Sequence, residues 1–312
     1  MRTVSELEQE IRDLINSPRK RTNLLKDKAD WSKLCSSLDV IGDTEQAFDS
    51  YINIQEPNSF GEKYLILYGV LQALFIQQDA ITHLSEALGL TYTVDPLLTQ
   101  IREIRNDSSG HPTKRGGGKG KKFNHISRIS MKRHNFKLMT AFPDGSHQFT
   151  DVDVKNLIES QRNTVKTALI EISDKLKEEE MRHREEFRDI KLADNLSNAL
   201  NYYHYEKISE AISDRHYGVL GLPAIEILLK HIESFKSDLQ ERGVLDVYDD
   251  SVGHYSNLLN YSLNELKEFV ENPSESKLND TDANIYLFFI RKNMETLIEI
   301  AREIDEEYSA QV

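Results

Sequence analysis

The sequence predicts a mainly α-helical protein with a small β-meander inserted in its first half, and three observations carry that prediction. Apolar residues recur at helical spacing over most of the chain. From about residue 111 to 150 that spacing gives way to short strand-like runs and the local charge turns basic. The composition, 38% hydrophobic and 29% charged over 312 residues with only 14 Gly and 7 Pro, excludes collagen-like, low-complexity and wholly disordered chains. A chain of this length holds one large or two ordinary cores. The pattern favours two domains: a helical bundle over 1–188 that carries the meander, and an acidic all-α bundle over 189–312.

Residues 3–37 read as one or two amphipathic helices broken near Ser17-Pro18, with no apolar core of a signal peptide. Asp43-Thr44 is expected to cap a short helix to about Ile54. Ser59 caps the next helix, about 61–88, which is apolar nearly all round and should lie at the centre of the first domain. Gln72, Gln77, Gln78 and Asp79 interrupt it, so it reads as a buried helix and not a membrane span, and the expected location is cytoplasmic. Gly89 stops it, and Asp95-Pro96 opens another helix to about Arg105. Gly116, Gly117, Gly118 and Gly120 then read as a hinge. Ile126, Ile129 and Met131, then Phe136, Leu138 and Met139, then Phe149 read as short strands, with a turn at Pro143-Asp144-Gly145-Ser146. Thr150 or Asp151 is expected to cap a long helix to about Arg188, and helices follow at about 192–214, 223–241, 252–271 and 281–309.

The net charge of −13 is unevenly placed. Residues 1–170 hold 23 Lys and Arg against 21 Asp and Glu, whereas residues 171–312 hold 16 against 31. Ser108 to Pro143 contains nine basic residues and no acidic one. Such a segment suits a polyanion, or is a solvated loop whose lysines keep it soluble.

Several chemistries leave no signature. There is no P-loop: Gly116 to Lys122 lacks the Ser or Thr that would ligate magnesium after Lys119. The single cysteine, Cys35, excludes an intramolecular disulfide and a thiolate zinc cluster. Asp246, Asp249, Asp250 and His254 could hold a divalent ion but read better as an acidic loop and helix cap. Tyr202, Tyr203, His204 and Tyr205 could stack on bases but suit packing. No metal and no cofactor is expected.

The informative stretch is Ile101 to Arg115, IREIRNDSSGHPTKR. Arg105 is a permanent cation that can grip a phosphate with two parallel hydrogen bonds. His111 exchanges protons near neutrality, and Asn106 offers both a donor and an acceptor. A metal-free ribonuclease needs this set, with the ribose 2′-OH as nucleophile, an acid–base group, and a cation on the developing phosphorane charge. Arg105 complementing a helix end, with His111 at a solvated turn, is the structural alternative.

Arg105-Asn106 followed by His111, with five residues between Arg and His, resembles the R-x(4–6)-H motif of HEPN domains. The resemblance covers roughly residues 40–185 by helix order, and this motif is its sharp element. It implies a HEPN-like helical bundle that forms a symmetric homodimer, with two motifs meeting in a metal-independent endoribonuclease site, as in toxin–antitoxin and antiphage systems. On that resemblance Arg105 stabilises the scissile phosphate, His111 is acid or base, and Asn106 orients substrate or histidine. Pro112-Thr113 departs from the H-x-Y pattern, which puts the nucleotidylation type of antitoxin control in doubt.

Lys114, Arg115, Lys119, Lys121 and Lys122 are expected to hold flanking RNA phosphates. Gln77, Gln78 and Asp79 are expected either to form a cap network or to support Arg105 or His111 from behind. The acidic C-terminal bundle suits a regulatory protein partner. Two other readings stay open: a non-catalytic RNA- or nucleotide-binding module, and a helical adaptor.

Overall fold

The computed structural model describes residues 2–117, 120–197, 201–272 and 274–309. The protein is mainly α with a small three-stranded sheet, and it divides into two compact units, Met1–Lys177 and Glu178–Val312.

In the first unit, α1 (Val4–Ile15) starts at a capping box between Thr3 and Glu6. Next come α2 (Pro18–Leu24), with Pro18 in its first turn, and α3 (Lys28–Asn53), capped by Asp27. The expected break at Asp43-Thr44 is absent, and α3 runs through it. Thr44 is buried and its hydroxyl donates back to the carbonyls of Val40 and Ile41 at 2.8 and 2.9 Å, so it needs no cap geometry. The helix α4 (Phe60–Ala87) opens at the Ser59–Glu62 capping box and ends at Gly89, whose φ of +66° favours glycine. By length and composition it could cross a membrane, yet half of its most apolar window is buried in the protein. Asp95 caps α5 (Pro96–Arg105).

The meander follows, with β1 (Phe123–Ile126), β2 (Asn135–Ala141) and β3 (His147–Asp153) antiparallel in the order β1-β2-β3. Ile129 and Met131 lie outside its strands. The Ser130 hydroxyl donates to Ser127 O at 2.6 Å and accepts from Lys137 N–H at 2.8 Å, which fixes a 3₁₀ turn at Arg128–Ser130 in place of more ladder. β3 also runs past Thr150 and Asp151. Its pairing reaches Asn135–Asp153, and Asp153 instead caps α6 (Val154–Phe187) through Asn156 N–H. Phe136, Leu138 and Val152 on the inner face of the sheet join Phe48, Leu71, Leu74, Ile101 and Ile158 in one apolar cluster. A second cluster gathers α1 with Leu38, Ile81, Leu84, Val165 and Leu169.

The second unit contains α7 (Leu192–Ser197), α8 (Tyr202–Ser213), α9 (Gly218–Glu241), α10 (His254–Glu271) and α11 (Asp280–Ser309) around one apolar cluster. The single helix expected over 192–214 is two, with Asn201 capping α8 through Tyr203 N–H. The next begins at Gly218 and takes Pro223 inside it. Arg242 is buried within this core, where Nη2 donates to Ile190 O and the guanidinium carbon lies 5.4 and 5.0 Å from the Phe187 and Tyr308 rings. Asp305, 3.7 Å from Arg242 Nη1, accepts the N–H groups of Leu192 and Ala193 at the start of α7.

Candidate functional site

Arg105 is the last residue of α5, and the backbone then widens into a single π-helical turn, Asn106–Gly110, a form enriched at functional sites. The turn closes with His111 N–H donating to Asn106 O at 2.8 Å, and the Ser109 hydroxyl reaches the Arg105 carbonyl at 3.2 Å. The Arg105 guanidinium is held from three sides. Nη2 donates to Gln72 Oε1 at 2.6 Å, Nη1 donates to Asn106 Oδ1 at 2.9 Å, and its carbon lies 4.3 Å from the centroid of the Phe75 ring. Nε is buried without a hydrogen-bond partner among the described residues. A Cβ on Gly110 would come within 2.7 Å of Nη1, so glycine there leaves the arginine its place. The result is an oriented cation with donors to spare, a form suited to a phosphate.

His111 is exposed, and its ring makes no hydrogen bond among the described residues. The segment after it is anchored, since Pro112 O accepts Asn124 N–H of β1 at 2.8 Å. Buried Asp107 is the hub of that anchor: Oδ1 accepts from Arg115 Nη1 at 2.8 Å and Asn124 Nδ2 at 3.1 Å, and Oδ2 accepts from Lys122 Nζ at 2.7 Å. Asn124 Oδ1 in turn accepts the Thr140 hydroxyl at 2.8 Å.

Two of the residues expected at phosphates, Arg115 and Lys122, have partners within the protein. Arg115 also pairs with Glu103 and exchanges two backbone hydrogen bonds with Lys122, so both residues serve the Asp107 hub. The hydrogen bonds that Arg115 donates to Glu103 and Asp107 hold it more firmly protonated than an ordinary arginine, and Arg115 keeps the Glu103 carboxyl below the usual range. Lys114 is exposed and Lys121 half-buried, and neither forms an ion pair among the described residues; Lys119 lies outside those residues.

Gln78 and Asp79 also differ from expectation, because they hold Arg102 and neither Arg105 nor His111. Arg102 Nε donates to Gln78 Oε1 at 3.1 Å and Nη2 to Asp79 at 2.6 Å. Behind them runs a chain of fully buried amides. Gln78 Nε2 donates to Gln161 Oε1, Gln161 Nε2 donates to Gln77 Oε1 and to Leu74 O, and Gln77 Nε2 donates to Glu45 Oε1. Burial raises the Glu45 pKa while Gln77 and Arg162 oppose the rise. Among the described residues the chain meets Arg105 at the shared Phe75 ring, 4.4 Å from the Arg102 guanidinium carbon.

The residues that support the motif and that the sequence left unassigned are therefore Gln72, Phe75, Asp107 and Gly110. Gln72 carried a signal as one of the polar residues that interrupt an apolar helix; Gly110, just before the histidine, carried a weaker one. In the second unit, Tyr205 is buried in the core while Tyr202 and Tyr203 are exposed. Among the described residues, no three His, Cys, Asp or Glu side chains come together as a metal site, Asp246, Asp249, Asp250 and His254 included. Comparison with family models, with curated proteins and with solved structures finds no match to this chain.

Proposed function

We propose that the protein is a HEPN-type, metal-independent endoribonuclease of the cytoplasm, working as a homodimer in a toxin or antiphage role. The observation that carries this reading is the pairing of an oriented, half-buried Arg105 with an exposed, unengaged His111 across one π-helical turn. In the proposed reaction the ribose 2′-oxygen attacks the adjacent phosphorus and the bond to the 5′-oxygen breaks. One His111 accepts the 2′-OH proton, Arg105 bears the phosphorane charge, and a second imidazole protonates the leaving 5′-oxygen. The products are a 2′,3′-cyclic phosphate and a free 5′-hydroxyl. Asn106, already bound to Arg105, orients the guanidinium.

One imidazole cannot be acid and base in the same step, so the chemistry asks for His111 from a second copy. A stripe on α4 supports that arrangement: Leu65 is 74% exposed, Tyr68 42% and Ile76 37%, and they share a helix face with Gln72, which holds Arg105. A cytoplasmic location accords with the packing of α4 in the first unit.

The test is incubation of wild type, Arg105→Ala and His111→Ala with total RNA in EDTA. The reading expects cleavage by the wild type and none by either folded variant; cleavage retained by both variants overturns it. A second reading, a helical adaptor, is favoured by one feature of the second unit. A groove of about 590 Å³ between α8 and α11 is lined by Tyr202, Tyr205, Tyr217, Phe288, Glu206 and Glu210, a surface suited to a basic regulatory partner.

A further inference from the structure

The meander has a core face and an open face, and the open face is unusual in composition. The register sets His125, Met139 and Phe149 in one row across the three strands, and Phe123, Ala141 and His147 in the adjacent row. These residues alternate with the buried Asn124, Leu138, Thr140 and Val152, so they lie on the side away from the core. Phe149 is 59% exposed, His125 and His147 are exposed, and Lys137 follows on the same face, 3.4 Å from Asp151.

An apolar ring held in solvent on an open sheet has no packing role within the described residues. The local charge shows what it suits. Residues 121–153, through the end of β3, hold six Lys and Arg against three Asp, a balance of +3 in a chain of −13. Rings on a cationic sheet offer stacking platforms to unpaired bases, while nearby lysines hold the backbone without choosing a sequence. A base-paired duplex keeps its bases stacked internally and cannot use such a platform.

We infer that the open face of the meander binds single-stranded RNA, with Phe149 and His125 stacking on unpaired bases and Lys121 and Lys137 facing phosphates. The inference rests on the reading that the chain acts on RNA, and it deepens that reading by naming the substrate form as unpaired. It also relocates the RNA contacts from Arg115 and Lys122, which the Asp107 hub holds, to the sheet beside them.

The probe is a short fluorescent oligouridylate with 2′-O-methyl riboses, which lacks the nucleophile and stays intact. Its binding to the full chain is measured by anisotropy beside a duplex of equal length, and the wild type is assayed in parallel for cleavage of unmodified RNA. Phe149→Ala is expected to weaken single-strand binding about tenfold, the loss of one stacked base. The salt slope should stay unchanged because no charge is lost, and Phe149→Trp should restore affinity. Equal affinity of wild type and Phe149→Ala overturns the inference, and so does a change in oligomeric state in place of RNA affinity. Cleavage by the wild type with unchanged Phe149→Ala binding sinks the inference alone. Phe149-dependent binding without any cleavage sinks the ribonuclease reading alone.

Discussion

The two units build their interiors differently. The first divides its apolar residues into two clusters and carries the fully buried amides Gln77, Gln78 and Gln161, joined from Glu45 on α3 to Arg102 on α5. The second packs one large apolar cluster and buries chiefly one ionic feature, Arg242 with Asp305, which fixes the start of α7. Buried polar chains gain little net stability over apolar packing, but they restrict a core to one arrangement. Orientation matters in the first unit, which holds α4, α5 and α6 in the register that sets Gln72 and Phe75 around Arg105. Among its described residues the second unit has no comparable chain, and its unusual chemistry lies on its surface, in the groove between α8 and α11.

The largest effect expected from this contrast is chemical. Arg105→Ala and His111→Ala should each lower cleavage at least about a hundredfold while leaving the thermal midpoint within a few degrees, since neither side chain carries core packing. A collapse of the fold in either variant would assign the motif a structural role. Gly110→Ala comes next. Its methyl group displaces Arg105 Nη1, so activity should fall about tenfold or more with little loss of stability; full activity would show that the arginine position is not critical.

In the interior, Gln161→Leu leaves Gln77 Oε1, Gln78 Nε2 and the Leu74 carbonyl without their partner and should cost about 2–4 kcal/mol by denaturant unfolding. Ser256→Ala in the second unit removes a buried hydroxyl that has no hydrogen-bond partner among the described residues and should be neutral or stabilising. Equal costs at the two sites would erase the contrast between the interiors. Leu65→Glu should shift a dimer toward monomer by light scattering, and an unchanged mass would remove α4 as the contact face.

The smallest effect is in acid. Hydrogen bonding from Lys177, with Ser173 and Arg2, lowers the Glu10 pKa from 4.5 to about 2. A depressed folded-state pKa means its stabilisation is fully present above about 4.5 and is lost as pH falls toward about 2. Glu10→Gln should therefore be less stable than wild type at neutral pH and converge with it at the acid end. A gap that persists there would assign the effect to packing.

The architecture was largely legible in the sequence because its signals are local. Ser59 and Asp95 caps, Gly89, and the Pro143–Ser146 turn lie where the periodicities change, and each acts through neighbouring backbone. The errors have a common cause in contacts from farther away or in a side chain satisfying itself. Thr44 bonds back into its own helix, Ser130 replaces ladder with a turn, and the β2 pairing carries β3 past Thr150. At the site, Arg105, Asn106 and His111 were visible as residue types. Their surroundings were not, because Gln72 is 33 residues from Arg105 and Lys122 is 15 from Asp107. Polar residues on α4 announced that partners existed without saying which: Gln72 meets Arg105, whereas Gln78 and Asp79 meet Arg102.

The most direct test of the central claim is the chemistry of the cut ends. A defined single-stranded RNA and the same strand with one 2′-deoxy position at the cleavage point are incubated with the full chain in EDTA, and the products are resolved by mass spectrometry. Attack by the 2′-oxygen gives 2′,3′-cyclic phosphate and 5′-hydroxyl ends from the first substrate and no cut at the deoxy position. Cleavage at the deoxy position, or ends bearing a 5′-phosphate, would contradict a mechanism built on the 2′-oxygen, Arg105 and His111.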